Sequence, residues 1–108
     1  MDILYTYLKY KNKRLLDKYN NNYNIIFSNK YTPLTYCITT RNYDMITYIL
    51  EKDVDITQKD DYNKSAIDYI ILQNETKIVD LILHKLENQN EYNSIIRLIN
   101  IFFYYSSQ

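Results

Sequence analysis

Glycine and tryptophan are absent from the 108 residues, and proline, cysteine and histidine occur once each. Each gap removes a class of chemistry. Without glycine there is no glycine-rich loop to cradle a phosphate. One cysteine cannot form an internal disulfide, and Cys37 has no basic sequence neighbour to turn it into a reactive thiolate. With His84 alone, no histidine pair, and no triad with a second histidine, can be drawn. An excess of one charge is also missing: 13 Lys and Arg balance 13 Asp and Glu, which argues against nucleic acid as the main partner. The cluster Lys9, Lys11, Lys13, Arg14 and Lys18 is flanked by Asp2 and Asp17 and reads as a solvated helix face. No run approaches the roughly 18 apolar residues that a membrane-spanning helix needs. The start, Met1-Asp2-Ile3-Leu4-Tyr5, lacks the basic segment and long apolar core of a signal peptide. A soluble, cytoplasmic protein without membrane contact is expected.

Asparagine, lysine, isoleucine and 14 tyrosines fill the composition, as in an AT-rich coding sequence. With glycine gone, turns that need a positive φ fall to the residue that next best tolerates it, asparagine. Asn20-Asn21-Asn22, Asn29, Asn63, Asn74 and Asn88-Gln89-Asn90 all lie between apolar segments and are expected to mark turns.

An apolar pattern returns after 33 residues. Thr32 falls on Ser65, Leu34 on Ile67, Cys37 on Ile70, Ile38 on Ile71, Ile46 on Val79, and Ile49 and Leu50 on Ile82 and Leu83. Such a period marks stacked units, each too small to bury its own apolar face. Thr32-Pro33 matches a helix start, a hydroxyl cap followed by a ring that needs no amide hydrogen. Leu34, Cys37 and Ile38 then share one face of a short helix ending near residues 40–42. Asp44 caps or opens a second helix carrying Met45, Ile46, Ile49 and Leu50. The plan recurs from Ser65, with a turn at Asn74-Glu75 and a second stripe of Ile78, Val79, Ile82 and Leu83. An extended polar segment, 54–64, joins the two pairs.

Thr32-Pro33-Leu34, Met45-Ile46-Thr47-Tyr48-Ile49-Leu50, Val54-Asp55-Ile56-Thr57 and the linking segment 59–67 together resemble the ankyrin-repeat family. Asn63 stands where that family usually has glycine. The resemblance implies an all-α helical solenoid. Two full repeats, 32–64 and 65–93, lie between an N-terminal cap and linker, 1–31, and a C-terminal cap helix, 94–108. Ser94-Ile95-Ile96 restarts the Ser65-Ala66-Ile67 pattern after a shortened loop, so the hairpin there is expected to be lost. Where the family carries His-x-Ala-Ala, this chain has Thr35-Tyr36-Cys37-Ile38 and Asp68-Tyr69-Ile70-Ile71, larger residues that must fill the space between helices. The divergence resembles ankyrin proteins of large AT-rich DNA viruses such as poxviruses.

No catalytic constellation survives. Asp53, Asp55, Asp60 and Asp61 cluster, but a calcium loop needs fixed ligand spacing, a central glycine and a final glutamate. They read instead as turn caps. His84 is expected on the surface. An enzyme is not expected, nor a cofactor or a metal. The resemblance implies a protein-binding module whose contact residues are Lys59, Asp61, Tyr62 and Lys64 at the hairpin tip, with Tyr36, Thr40, Tyr69 and Gln73 on the first helices. Tyr36 and Tyr69 equally fit a filling role between neighbouring helices. The apolar stretch Ile101-Phe102-Phe103-Tyr104-Tyr105 either covers the last repeat or offers a patch for a partner or a second copy. A viral factor engaging a host protein, a self-associating subunit, and a remnant of a longer array are the competing readings.

Overall fold

The computed structural model describes residues 2–104 and is built from helices alone among them. Seven α-helices follow one another: α1 (Ile3–Lys9), α2 (Lys13–Lys18), α3 (Pro33–Thr39), α4 (Tyr43–Leu50), α5 (Ala66–Gln73), α6 (Val79–Asn88) and α7 (Tyr92–Ile99). A 3₁₀ turn, Thr76–Ile78, leads into α6, and a wide π turn, Asn100–Tyr104, follows α7. Residues 105–108 of the expected C-terminal cap lie outside the described residues.

Local chemistry fixes the helix starts. Thr32 and Thr35 form a reciprocal box: the Thr35 amide donates to the Thr32 hydroxyl at 3.1 Å, and the Thr32 amide to the Thr35 hydroxyl at 2.9 Å. At α5, Asp68 accepts from both the amide and the hydroxyl of Ser65, at 2.9 and 3.3 Å. Asn12 and Asn42 cap α2 and α4, accepting from the Leu15 and Met45 amides at 3.1 and 3.4 Å. Asp44 lies in the first turn of α4 and Asn42 is its cap.

The N-terminal segment makes a helix pair on the same plan. The turns after α1 and α3 carry Lys11 and Arg41 at φ 54° and 55°. At an offset of 30, Leu4, Leu8 and Leu16 correspond to Leu34, Ile38 and Ile46, and all six are buried. Two tight hairpins, residues 27–31 and 60–64, join the pairs. Phe27 donates to the Tyr31 carbonyl at 2.8 Å, and Asp60 to the Lys64 carbonyl at 2.9 Å.

Positive φ occurs at Lys11, Lys30, Arg41, Asn63, Asn74 and Asn90. Asn63, Asn74 and Asn90 follow the expectation that asparagine replaces glycine, but three of the six positions carry long cationic side chains. Asn22 and Asn29 work differently. Their side chains accept from the amides of Asn24 and Tyr31 two residues on, at 2.8 and 3.2 Å. Each cationic left-handed residue carries backbone strain of about 1 kcal/mol that glycine would not. Lys11→Gly is therefore expected to raise stability by about 0.5–1 kcal/mol, read as a higher urea midpoint at unchanged slope.

The pairs stack side by side. α3 packs on α1, α4 and α5, α4 on α6, and α7 on α6 and α5. The long axis is 46 Å against 24 and 22 Å across, as a short stack requires. Cys37, Ile38, Met45, Ile46, Ile49, Ile70, Ile82 and Leu86 are fully buried between layers. Cys37 and Ile70 thus occupy the core positions expected of the enlarged first-helix residues. Burial pushes the Cys37 thiol up to about 12, so it is a packed side chain and not a nucleophile at neutral pH. Hydrogen bonds tie corresponding positions of successive levels. Asn42 reaches the Leu8 carbonyl at 3.4 Å, Gln73 the Ile38 carbonyl at 3.3 Å, Lys85 the Lys52 carbonyl at 2.8 Å and Gln89 the Val54 carbonyl at 2.6 Å.

Candidate functional site

Asp60 organises the second hairpin. It is 5% exposed, and one carboxylate oxygen accepts from the Tyr62 and Lys64 amides at 2.9 and 3.1 Å. The other accepts from the Tyr69 hydroxyl at 2.6 Å. A buried carboxylate with three donors is a structural clamp, and it fixes the tip on α5. Its partner in the first hairpin is Phe27, which holds its place by packing instead.

Around these two hairpins runs a file of aromatic rings. Tyr5 lies 5.6 Å from Phe27 and 5.0 Å from Tyr36, centroid to centroid. Tyr31 sits 6.5 Å from Tyr36, 6.1 Å from Tyr69 and 5.1 Å from Tyr62. Tyr36 and Tyr69 are thus bridged by Tyr31 between neighbouring first helices, and Tyr69 is only 8% exposed. Tyr62 is different. It caps the file, 45% exposed, with the Lys30 ammonium 5.7 Å from its ring and its hydroxyl donating to the Asn29 carbonyl at 3.4 Å.

The eight expected contact residues divide by surroundings. Lys59, Asp61 and Tyr62 are exposed at the tip and Lys64 is half-buried beside them. Thr40 is exposed, but its hydroxyl donates back to the Tyr36 carbonyl at 2.9 Å. Gln73 is half-buried and spends its amide on Ile38. Tyr31, Phe27 and Tyr5, which complete the ring file, were not among the expected residues. Offsets of 33 from Lys64 and Asp60 lead to Tyr31 and Phe27, so the repeat itself carried that signal. A second unforeseen cluster joins levels at the helix turns. Arg41 Nε and the Tyr43 hydroxyl both donate to buried Glu75, each at 2.7 Å.

A model of ankyrin repeats in three copies matches residues 4–94. The chain belongs to the ankyrin-repeat family. No curated protein and no solved structure matches it significantly. Ankyrin repeats generally mediate protein–protein interaction, and proteins built from them are typically non-catalytic. Among the described residues no helix is long and apolar enough to cross a membrane, and no group of three metal-binding side chains converges. His84 is exposed on α6.

The tyrosines also set an alkaline limit. Burial, with the neighbouring Tyr5 hydroxyl, pushes Tyr36 up to about 12. Burial and a carboxylate partner raise Tyr48, bonded to Asp17, and Tyr69, bonded to Asp60. The fold therefore favours the protonated phenol. That stabilisation is complete below the unfolded value near 10 and is lost as pH rises from there through the raised folded values. Loss of helical circular dichroism is expected between roughly pH 10 and 12, together with a step in phenolate absorption.

Proposed function

We propose that this ankyrin-repeat chain is a non-catalytic protein-binding module, whose contact face combines the hairpin tip with the adjoining first helices. Lys59, Asp61, Tyr62 and Lys64 touch the partner, and Tyr36, Thr40, Tyr69 and Gln73 form the floor and rim behind them. Units 32–64 and 65–93 present this face, and 1–31 and 94–108 flank them. The observation that carries the reading is Tyr62: a large, half-exposed ring held on Tyr31 and Asn29 beside charges of both signs. A ring already fixed loses little entropy when a partner covers it. The partner is a cytoplasmic protein, and a host protein if the chain is a factor of an AT-rich virus.

Affinity capture from lysate tests this. Proteins retained by the wild-type chain should be lost with Lys59→Ala combined with Tyr62→Ala, while the variant keeps its helical spectrum. Equal retention by both would refute the face.

A second reading is self-association through the last elements, including Ile101, Phe102 and Phe103. Tyr92, Ile96 and Ile99 favour it, being exposed and aligned at helical spacing along α7. Light scattering behind size exclusion separates the two: a monomer at micromolar concentration rejects self-association. In a remnant of a longer array, unfolding would be broad or aggregating instead of cooperative.

A further inference from the structure

Hairpin 60–64 shows how this chain covers the open side of a hairpin. Its Asp61 amide donates to the Lys30 carbonyl at 2.9 Å, its Tyr62 hydroxyl donates to the Asn29 carbonyl, and its Tyr62 ring rests on Tyr31. A shift of 33 residues carries Asn29, Lys30 and Tyr31 onto Tyr62, Asn63 and Lys64. One level on, no hairpin follows, because α6 passes to α7 through residues 89–91 alone. Among the described residues, nothing donates to the Asn63 carbonyl. Beside it lies a groove of about 340 Å³, lined by Tyr62, Asn63, Lys64, Asp68, Leu72 and Arg97. Leu72 is 67% exposed there, an apolar floor with no cover.

We propose that this groove docks an acidic, tyrosine-bearing turn of a partner protein, laid on hairpin 60–64 as that hairpin is laid on 27–31. The partner's main-chain N–H donates to the Asn63 carbonyl and its tyrosine hydroxyl to the Tyr62 carbonyl, while its ring covers Lys64 and Leu72. Main-chain pairing supplies affinity and the ring supplies selectivity. Charge selects the acidic residue before the tyrosine. Arg97 and Asp68 compensate each other across the groove at 3.0 Å, which leaves Lys64 as the unbalanced positive charge on its rim.

A second copy of this chain does not fit the slot. Its hairpin 60–64 is already seated on its own first hairpin. The outer edge of 27–31 carries Ser28-Asn29 where 60–64 carries Asp61-Tyr62. There the Ser28 amide and hydroxyl donate to the Asp2 carboxylate, at 3.0 and 2.9 Å. These two bonds hold the Asp2 carboxyl below the usual range, so the edge is closed at neutral pH.

The proposal rests on the protein-binding reading and extends that face past the tip, sharing Tyr62 and Lys64 with it and adding Asn63, Leu72 and Arg97. Its probe is a cyclised peptide, Asp-Asp-Tyr-Asn-Lys, titrated into isotope-labelled protein and followed by amide chemical shifts. Saturable shifts are expected at Asn63, Lys64 and Leu72. Leu72→Arg, or alanine for the peptide tyrosine, should weaken binding at least about tenfold. Because Leu72 is exposed, the variant should keep the wild-type unfolding midpoint, which separates lost docking from lost fold. No shifts, shifts centred on Lys59 or on residues 27–31, or binding indifferent to Leu72→Arg would overturn the proposal. So would the same shifts appearing on concentrating the protein without peptide, which would place a second copy there. Lys59→Ala, outside the groove, should weaken capture yet leave peptide binding unchanged, whereas Leu72→Arg should weaken peptide binding, so failure of one reading is distinguishable from failure of the other.

Discussion

Ile46→Ala is expected to lower the free energy of unfolding by about 3–4 kcal/mol, a large share of what a domain of this size has. Ile46 is fully buried in α4, at the level where the middle pair meets both neighbours. Truncation removes the transfer energy of three carbons and leaves a cavity that rigid helices on both sides cannot close. The same change at an exposed apolar position, Leu72→Ala, should cost under about 0.5 kcal/mol. Urea unfolding followed by circular dichroism measures both. Equal effects would mean that the layers do not meet where the burial pattern says they do.

Asp60→Ala is expected to cost about 2–4 kcal/mol, although aspartate to alanine removes no apolar core. The substitution orphans three donors at once: the Tyr62 and Lys64 amides and the Tyr69 hydroxyl. Asp60→Asn keeps an acceptor for the amides and should cost less, about 1 kcal/mol. The tyrosine reports the loss independently. Burial raises the Tyr69 phenol first and Asp60 adds to it, so its titration should move down toward the ordinary range in the alanine variant. Because this clamp shapes the tip that carries Tyr62, partner capture should weaken in parallel.

The helix pairs of residues 32–83 were legible because burial imposes a period. Leu34 and Ile67, Cys37 and Ile70, and Ile49 and Ile82 had to match if both units shelter the same kind of layer. Residues 1–31 were harder to read. The helices there repeat at an offset of 30 and the hairpins at 33, so no single period aligns them. α2, two residues shorter than α4, absorbs most of the difference, and the segment before the hairpin the rest. Left-handed positions were half legible: Asn63, Asn74 and Asn90 announce themselves, whereas Lys11, Lys30 and Arg41 do not. At two of the three the side chain is used for what it reaches: Arg41 bonds Glu75, and the Lys30 ammonium lies 5.7 Å from the Tyr62 ring.

At the tip, charge and exposure were readable from Lys59, Asp61, Tyr62 and Lys64. Asp60 was legible as a turn cap, which its bonds to the Tyr62 and Lys64 amides make it, but its burial and its bond to Tyr69 were not, since it looks like its neighbour Asp61 in sequence. Tyr69 likewise fills space between levels, with Tyr31 as the third ring of the contact.

Hydrogen exchange at the Asp61 amide tests the stacking most directly. Asp61 is exposed at a hairpin tip, and its amide has one acceptor, the Lys30 carbonyl of the preceding hairpin. If the levels stack as described, this amide should exchange at least about tenfold more slowly than in an unfolded chain. Exchange at the unstructured rate, with the α4 and α6 amides still protected, would mean that the hairpins do not meet.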